Sequence, residues 1–193
     1  MSLFGRTHRL LNVSNSHDIL RRYLVVNGFD GALAMLGLII GFMVSQPAAL
    51  EVVTNACLAT AIALGMSGIS SAYISEVAER KHELDKLEES MISDLGASAH
   101  GRAARWVPVL VALVNGGTPL IISLLILLPL WAAQAGVFMP VNPLYLAGAV
   151  AGLMIFVLGM LLGRIADVSW IRSGLQTLLV AAVTVGLIYM FTV

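Results

Sequence analysis

An acidic residue, Asp30, lies inside the first long apolar run of the chain, after the apolar residues 24–26 and the tripeptide Asn27-Gly28-Phe29. A carboxylate within a bilayer is costly, and intramembrane acids mark ion pathways and proton relays. A second interpretation is that Asn27–Asp30 caps a helix beginning at Gly31. We favour the first interpretation, and Asp30 is therefore our leading candidate for an ion ligand.

A face of polar and soft side chains lies on the second apolar run. Asn55, Met66, Ser70 and Tyr73 fall on one side of a helix at 100° per residue. A thioether can hold Fe(II) or another late divalent ion weakly, which suits a carrier that must release it. Because methionine is also a common packing residue, Met66 is a candidate only in combination with Asp30.

A third group of candidate ligands lies in the polar segment 76–105. Its members are Glu76, Glu79, His82 and Glu83. Glu79 and His82 form an ExxH step of the kind found in di-iron carboxylate bundles, and oxygen ligands with one imidazole suit Fe(II), Mn(II) or Zn(II). The alternative is a solvated helix stabilised by i, i+4 pairs such as Glu76–Arg80. Taken alone, this segment favours the solvated helix.

The candidate residues lie on or next to five apolar segments. Each segment is long enough to cross a hydrocarbon core of about 30 Å. They are predicted at roughly 24–45, 49–75, 107–132, 143–165 and 173–192. All eleven Lys and Arg residues precede the first span, lie between the second and the third, or lie from the end of the fourth span to the start of the fifth. The positive-inside rule then predicts an all-α polytopic membrane protein with its N-terminus in the cytoplasm and its C-terminus outside.

This plan divides the chain into four segments. They are a cytoplasmic N-terminal segment at 1–23, transmembrane helices 1 and 2 at 24–75, a cytoplasmic acidic helix and loop at 76–105, and transmembrane helices 3 to 5 at 106–193. We expect the acidic helix to continue the second span without a break, and Gly96–Gly101 to form a loop. Gly37 and Gly41 lie on the same helical face as Asp30. Their spacing predicts a seam where another helix packs against the first span. The motif Asn115–Pro119 predicts a loosened or kinked third span.

The composition argues against several classes of function. Hydrophobic residues make up 59% of the chain and charged residues 11%, less than half the charge of a soluble domain. With a single cysteine, Cys57, the chain cannot form an internal disulfide. No phosphate-binding loop, nucleophile elbow or paired-His motif indicates an enzyme. No basic patch interleaved with aromatic residues indicates nucleic-acid binding.

Four motifs in order along the chain carry a resemblance to a known family. Asn27–Leu38 contains an Asp-Gly step in the first span, and Gly65–Glu76 is a Ser- and Met-containing second span that runs into Ser-Glu. Gly116–Leu120 supplies a Gly-Gly…Pro-Leu pattern, and Gly174–Val180 opens the last span. Together they resemble the vacuolar iron transporter family over nearly the whole chain from about residue 20.

The resemblance implies a homodimer, packed through its first spans, that exports Fe(II) from the cytoplasm in exchange for protons. It assigns Asp30 and Met66 to the transport path, and Glu76, Glu79 and Glu83 to a cytoplasmic surface that gathers metal. We expect Mn(II) as the second candidate ion, no resident cofactor and no enzymatic activity. The expected location is a prokaryotic cytoplasmic membrane, or a vacuolar-type membrane if the cell is eukaryotic.

Two departures from the family pattern leave alternatives open. Family members have a glutamate about two turns before the second-span methionine, where this chain reads Asn55-Ala-Cys57-Leu58. The cytoplasmic insertion is also too short for a full three-helix metal-binding domain. One alternative is a non-transporting membrane scaffold or metal sensor, in which Asp30 is a cap and the acidic helix a partner surface. Another is a carrier for a different substrate, such as a small organic cation.

Overall fold

The computed structural model describes residues 16–45 and 48–192, and every regular element in those ranges is an α-helix. The helices are α1 (Ser16–Val44), α2 (Leu50–Met91), α3 (Ala99–Gln134), α4 (Pro143–Ile165) and α5 (Trp170–Thr192). Each of the five is long and apolar enough to cross a membrane. The predicted all-α architecture with five membrane-spanning helices is confirmed at that level. Most of the predicted N-terminal segment, residues 1–15, lies outside the described ranges.

The helices extend beyond the apolar runs that predicted them. Helix α1 begins at Ser16 and α3 at Ala99, each eight residues before the predicted start of its span, because hydropathy registers only the apolar part of a helix. Helix α2 has 42 residues, about 63 Å at 1.5 Å per residue. That is roughly twice the hydrocarbon thickness. The prediction that the acidic segment continues the second span is therefore confirmed.

The connection between α2 and α3 is shorter than predicted. The segment Gly96–Gly101 was expected to be a loop, and its second half belongs to α3. The Ser98 hydroxyl accepts hydrogen bonds from the backbone N–H groups of His100 (3.1 Å) and Gly101 (3.2 Å). A serine that satisfies the first N–H groups of a helix starts that helix, which is why the prediction was wrong there.

The described residues divide into two compact units, of which the first comprises residues 16–24 and 65–117. Its buried core consists of small and β-branched residues of α2 and α3, with Leu20 and Tyr23 of α1 packed against them. A Cβ atom built on Gly68 would lie 2.7 Å from the Cα of Gly116, so the two helix backbones touch there. Beside this contact, the Asn115 Nδ2 donates a hydrogen bond to the Gly68 carbonyl (2.8 Å).

Helix α3 continues unbroken from Ala99 to Gln134 through the Asn115–Pro119 motif. The segment in which a loosened or kinked span was predicted is therefore part of one continuous helix. Gly116 provides a close contact between helices rather than a flexible point, since a Cβ atom there would meet the Gly65 carbonyl oxygen and the Ile69 backbone nitrogen. Small residues that let backbones approach are typical of helix interfaces in lipid.

The second unit comprises residues 25–64 and 118 onward, described apart from 46–47 and 193. Its core contains large apolar side chains that are fully buried, among them Met35, Ile39, Ile126, Leu130 and Ile155. Helices α4 and α5 pack along each other, and the Thr177 hydroxyl of α5 lies 3.1 Å from the Ile155 carbonyl oxygen of α4 and donates to it. This unit holds Asp30 on α1.

Candidate functional site

Asp30 lies in the interior of α1 rather than at its start. The helix begins fourteen residues earlier, at Ser16, and only the first N–H groups of a helix need a cap. The interpretation of Asp30 as an N-cap is therefore wrong. Asp30 follows Leu20, the first residue of the apolar stretch that can span a membrane, by ten residues, or about 15 Å along the axis. Its side chain is exposed on the surface of the chain.

An open groove lies further along the same helix. Its volume is about 490 Å³, and its lining residues are Gly37, Leu38, Gly41, Phe42, Ser45 and Ala48. A Cβ atom on Gly41 would meet nothing within 4 Å, and one on Gly37 would meet only the Cδ1 of Ile188, at 3.8 Å. The predicted seam at Gly37 and Gly41 is thus largely unfilled within this unit. The helical face that carries Asp30 is available to another surface.

The polar face of α2 is also uncovered. Met66 is 59% exposed and Tyr73 47%, and Asn55 and Ser70 are exposed as well. The Ser70 hydroxyl donates to the Met66 carbonyl oxygen, and the Ser75 hydroxyl donates to the Ser71 carbonyl oxygen at 2.9 Å. Both serine hydroxyls therefore donate their hydrogen bonds to carbonyl oxygens of their own helix. The Met66 side chain reaches the surface and can act as a soft ligand there.

A buried ion-pair cluster lies where α2 passes from its apolar part into its acidic part. Arg80 and Glu76 are 7% and 9% exposed. The Arg80 Nε lies 3.3 Å from the Glu76 Oε2, and its Nη1 lies 2.8 Å from the Glu83 Oε2. One guanidinium therefore binds two of the predicted metal-collecting carboxylates. Sequence reasoning identified the Glu76–Arg80 pair but missed the bond to Glu83, which the i, i+3 spacing of Arg80 and Glu83 signals.

The other two predicted ligands of this segment, Glu79 and His82, are exposed on α2. Within residues 16–45 and 48–192, no three side chains of His, Cys, Asp or Glu are grouped closely enough to hold a metal ion. Of the four predicted residues of the acidic helix, Glu76 and Glu83 thus pair with Arg80, and Glu79 and His82 are exposed. Acids exceed bases seven to three between residues 76 and 94, so this segment attracts cations.

Comparison with known proteins identifies a relative in an archaeon. The chain is 30% identical over 159 residues to the uncharacterized protein MJ0645 of Methanocaldococcus jannaschii, and the match covers 80% of this chain and 79% of that protein. No family model matches the chain. At this identity and coverage, the chain belongs to the same family as MJ0645.

Proposed function

We propose that this protein is a membrane carrier that exports a divalent metal ion, Fe(II) first and Mn(II) second, from the cytoplasm in exchange for protons. The observation that carries the proposal is Asp30, a carboxylate in the interior of α1 whose side chain reaches the surface about 15 Å beyond Leu20. Acids at such depth are characteristic of ion paths and proton relays. The four motifs that resemble vacuolar iron transporters support the choice of ion.

The exposure of Asp30 and of the groove at Gly37 and Gly41 supports a homodimer. Lipid tails offer no hydrogen bonds or counter-charge to a carboxylate, so the surface around Asp30 requires cover from protein. The groove at Gly37 and Gly41 on the same helix leaves room for a second helix, and small residues permit that approach. Two copies packed through α1 would enclose both Asp30 side chains.

The proposed transport cycle begins at the acidic part of α2. Its excess of carboxylates raises the local concentration of divalent cations, and the positive-inside rule assigns this end to the cytoplasm. Asp30 supplies an anionic oxygen in the membrane, and Met66 supplies a weak sulfur ligand. Protonation of Asp30 from the opposite side converts it into a poor ligand and releases the ion. The proton then leaves toward the cytoplasm.

Flux measurements in proteoliposomes test this proposal. Purified wild-type protein, Asp30→Asn and Glu51→Gln are reconstituted with a metal-quenched fluorophore inside, and Mn(II) or anaerobic Fe(II) is added outside. Glu51 is an exposed acid in the first turn of α2, so its variant removes the same charge elsewhere. We expect flux in wild type and Glu51→Gln and none in Asp30→Asn. Equal flux in all three proteins would contradict the proposal.

A second candidate function is a membrane scaffold or metal sensor that does not transport. The observation that favours it is the Arg80 cluster, since ion pairs with Glu76 and Glu83 are what a structural helix would form. On this alternative, the acidic surface binds a partner. Absence of metal flux from a well-folded wild-type protein, under either direction of proton gradient, would favour it.

A further inference from the structure

The connection between α3 and α4, residues 135–142, is a short loop that hydrogen bonds fix at both ends. Gly136 has a φ of 81°. The backbone N–H groups of Gly136 and Val137 donate to carbonyl oxygens in the last turn of α3, at 3.1 and 3.0 Å, which is the Schellman pattern that ends a helix. The Asn142 side chain accepts a hydrogen bond from the first turn of α4 at 2.9 Å. The two helix ends therefore determine where the loop lies.

The loop presents apolar side chains to the outside of the protein. Phe138 is 90% exposed, Val137 55% and Val141 52%. The whole stretch 106–163, which contains the loop, has no Asp, Glu, Lys, Arg or His. The connections at the other ends of α3 and α4 each contain an aspartate, at positions 94 and 167. An uncharged loop with exposed apolar side chains is suited to lipid and costs free energy in water.

We infer that residues 137–141 form an anchor that inserts into the membrane interface, where the phospholipid headgroups meet the acyl chains, and that Phe138 enters farthest. Helices α3 and α4 are each long and apolar enough to cross a membrane, so the loop that joins them lies at a membrane surface. Tyr145 is 60% exposed in the first turn of α4, and exposed tyrosines are enriched at this level of a bilayer. The anchor is expected whether or not the protein carries metal.

A lipid surface fits this loop better than a protein partner does. A phenylalanine offers about 150–250 Å² of surface. Together with two half-exposed valines, Phe138 falls short of the roughly 800 Å² that each partner of a stable protein interface buries. Insertion into lipid has no such threshold, because each apolar side chain that leaves water contributes separately. The loop also has no charge that would have to be desolvated.

Spin labelling of the full-length protein in liposomes measures the depth of the loop. A nitroxide is attached to Phe138→Cys, and its collision rates are recorded with oxygen, which concentrates in lipid, and with a water-soluble nickel chelate. Ser93→Cys, exposed in the connection between α2 and α3, is the control in water. Leu153→Cys, 56% exposed near the middle of α4, is the control in lipid. The native Cys57 is fully buried and escapes labelling in the folded protein.

The label at Phe138→Cys should collide more with oxygen than with the chelate, as at Leu153→Cys, and Ser93→Cys should show the reverse. The depth calculated from the two rates should be about 5–10 Å inside the phosphate level. Dominant collision with the chelate would mean that the loop lies in water. Low collision with both reagents would mean that protein, such as a second copy of the chain, covers it. Either result would overturn the inference.

A second set of variants removes the nitroxide's own preference for lipid. The label is placed at Val141→Cys, alone and together with Phe138→Asp or Phe138→Leu. Phe138 is almost fully exposed, so neither change disturbs the packed helices. Phe138→Asp should shift the label toward water and raise its collision rate with the chelate, since a carboxylate resists insertion. Phe138→Leu should leave the label in place. A label that stays at the same depth in Phe138→Asp would refute the role of Phe138 as the anchor.

Discussion

Replacement of Gly31 by alanine should destabilise the second unit, because α1 and α3 touch through their backbones at this point. A Cβ atom on Gly31 would lie 2.8 Å from both the Cα and the carbonyl oxygen of Pro119. Carbon atoms prefer about 3.5–4.0 Å, so the helices must separate by roughly 1 Å. Neither partner atom is the end of a flexible side chain, so the whole helix has to move.

The change in the free energy of unfolding caused by Gly31→Ala is the difference between two opposing contributions. Overpacking a well-packed core costs about 1–3 kcal/mol, and a backbone contact belongs at the upper end of that range. Replacing a helical glycine by alanine returns up to about 1 kcal/mol of helix propensity. We therefore expect a net loss of about 2 kcal/mol for Gly31→Ala. Gly152→Ala, where the added Cβ meets nothing within 4 Å, should be neutral or slightly stabilising.

Cys57 provides the assay. It is the single cysteine of the chain, it is fully buried, and it lies in the same unit as Gly31 and Gly152. A thiol-reactive fluorogenic dye therefore reports unfolding during a thermal ramp in detergent. Gly31→Ala should melt about 5 °C below wild type, and Gly152→Ala at or above it. A midpoint for Gly31→Ala equal to that of Gly152→Ala would refute the close contact between α1 and α3.

Three further predictions use related measurements. Asn115→Leu removes the hydrogen bond to the Gly68 carbonyl (2.8 Å) and should cost about 1 kcal/mol in a thermal ramp followed by circular dichroism, which reports all the helices; an unchanged midpoint would contradict that bond. Gly41→Leu fills the open groove and should convert a dimer into a monomer, measured by light scattering in detergent; a persisting dimer would contradict packing through α1. Asp30→Asn removes a carboxylate that costs about 2.5–3.5 kcal/mol in a span and should raise the melting temperature, whereas a large decrease would indicate a structural role.

Much of the fold could be predicted from the sequence because hydropathy acts on long segments. The apolar runs located all five helices, and the acidic residues after Ser75 were correctly assigned to an extension of the second helix. Helix ends were predicted less well. Polar residues such as those at 16–23 continue a helix without any hydropathy signal, and Ser98 started α3 through a local cap.

The environment of the candidate residues was harder to predict. Asn27–Asp30 has the composition of a helix cap, and only the continuation of α1 back to Ser16 assigns Asp30 to the helix interior. The spacing of Glu76, Arg80 and Glu83 permits both ion pairs, but it does not reveal their burial. Burial depends on which helices surround a side chain, and that information lies in distant parts of the chain.

Simultaneous recording of metal and proton movement tests the central claim most directly. Proteoliposomes carry a metal-sensitive and a pH-sensitive fluorophore inside, and Mn(II) is added outside to wild type and to Asp30→Asn. The account predicts that metal entry acidifies the medium and makes the lumen more alkaline in wild type, and that Asp30→Asn abolishes both signals. Metal entry with no proton movement, or coupled movement that survives in Asp30→Asn, would contradict it.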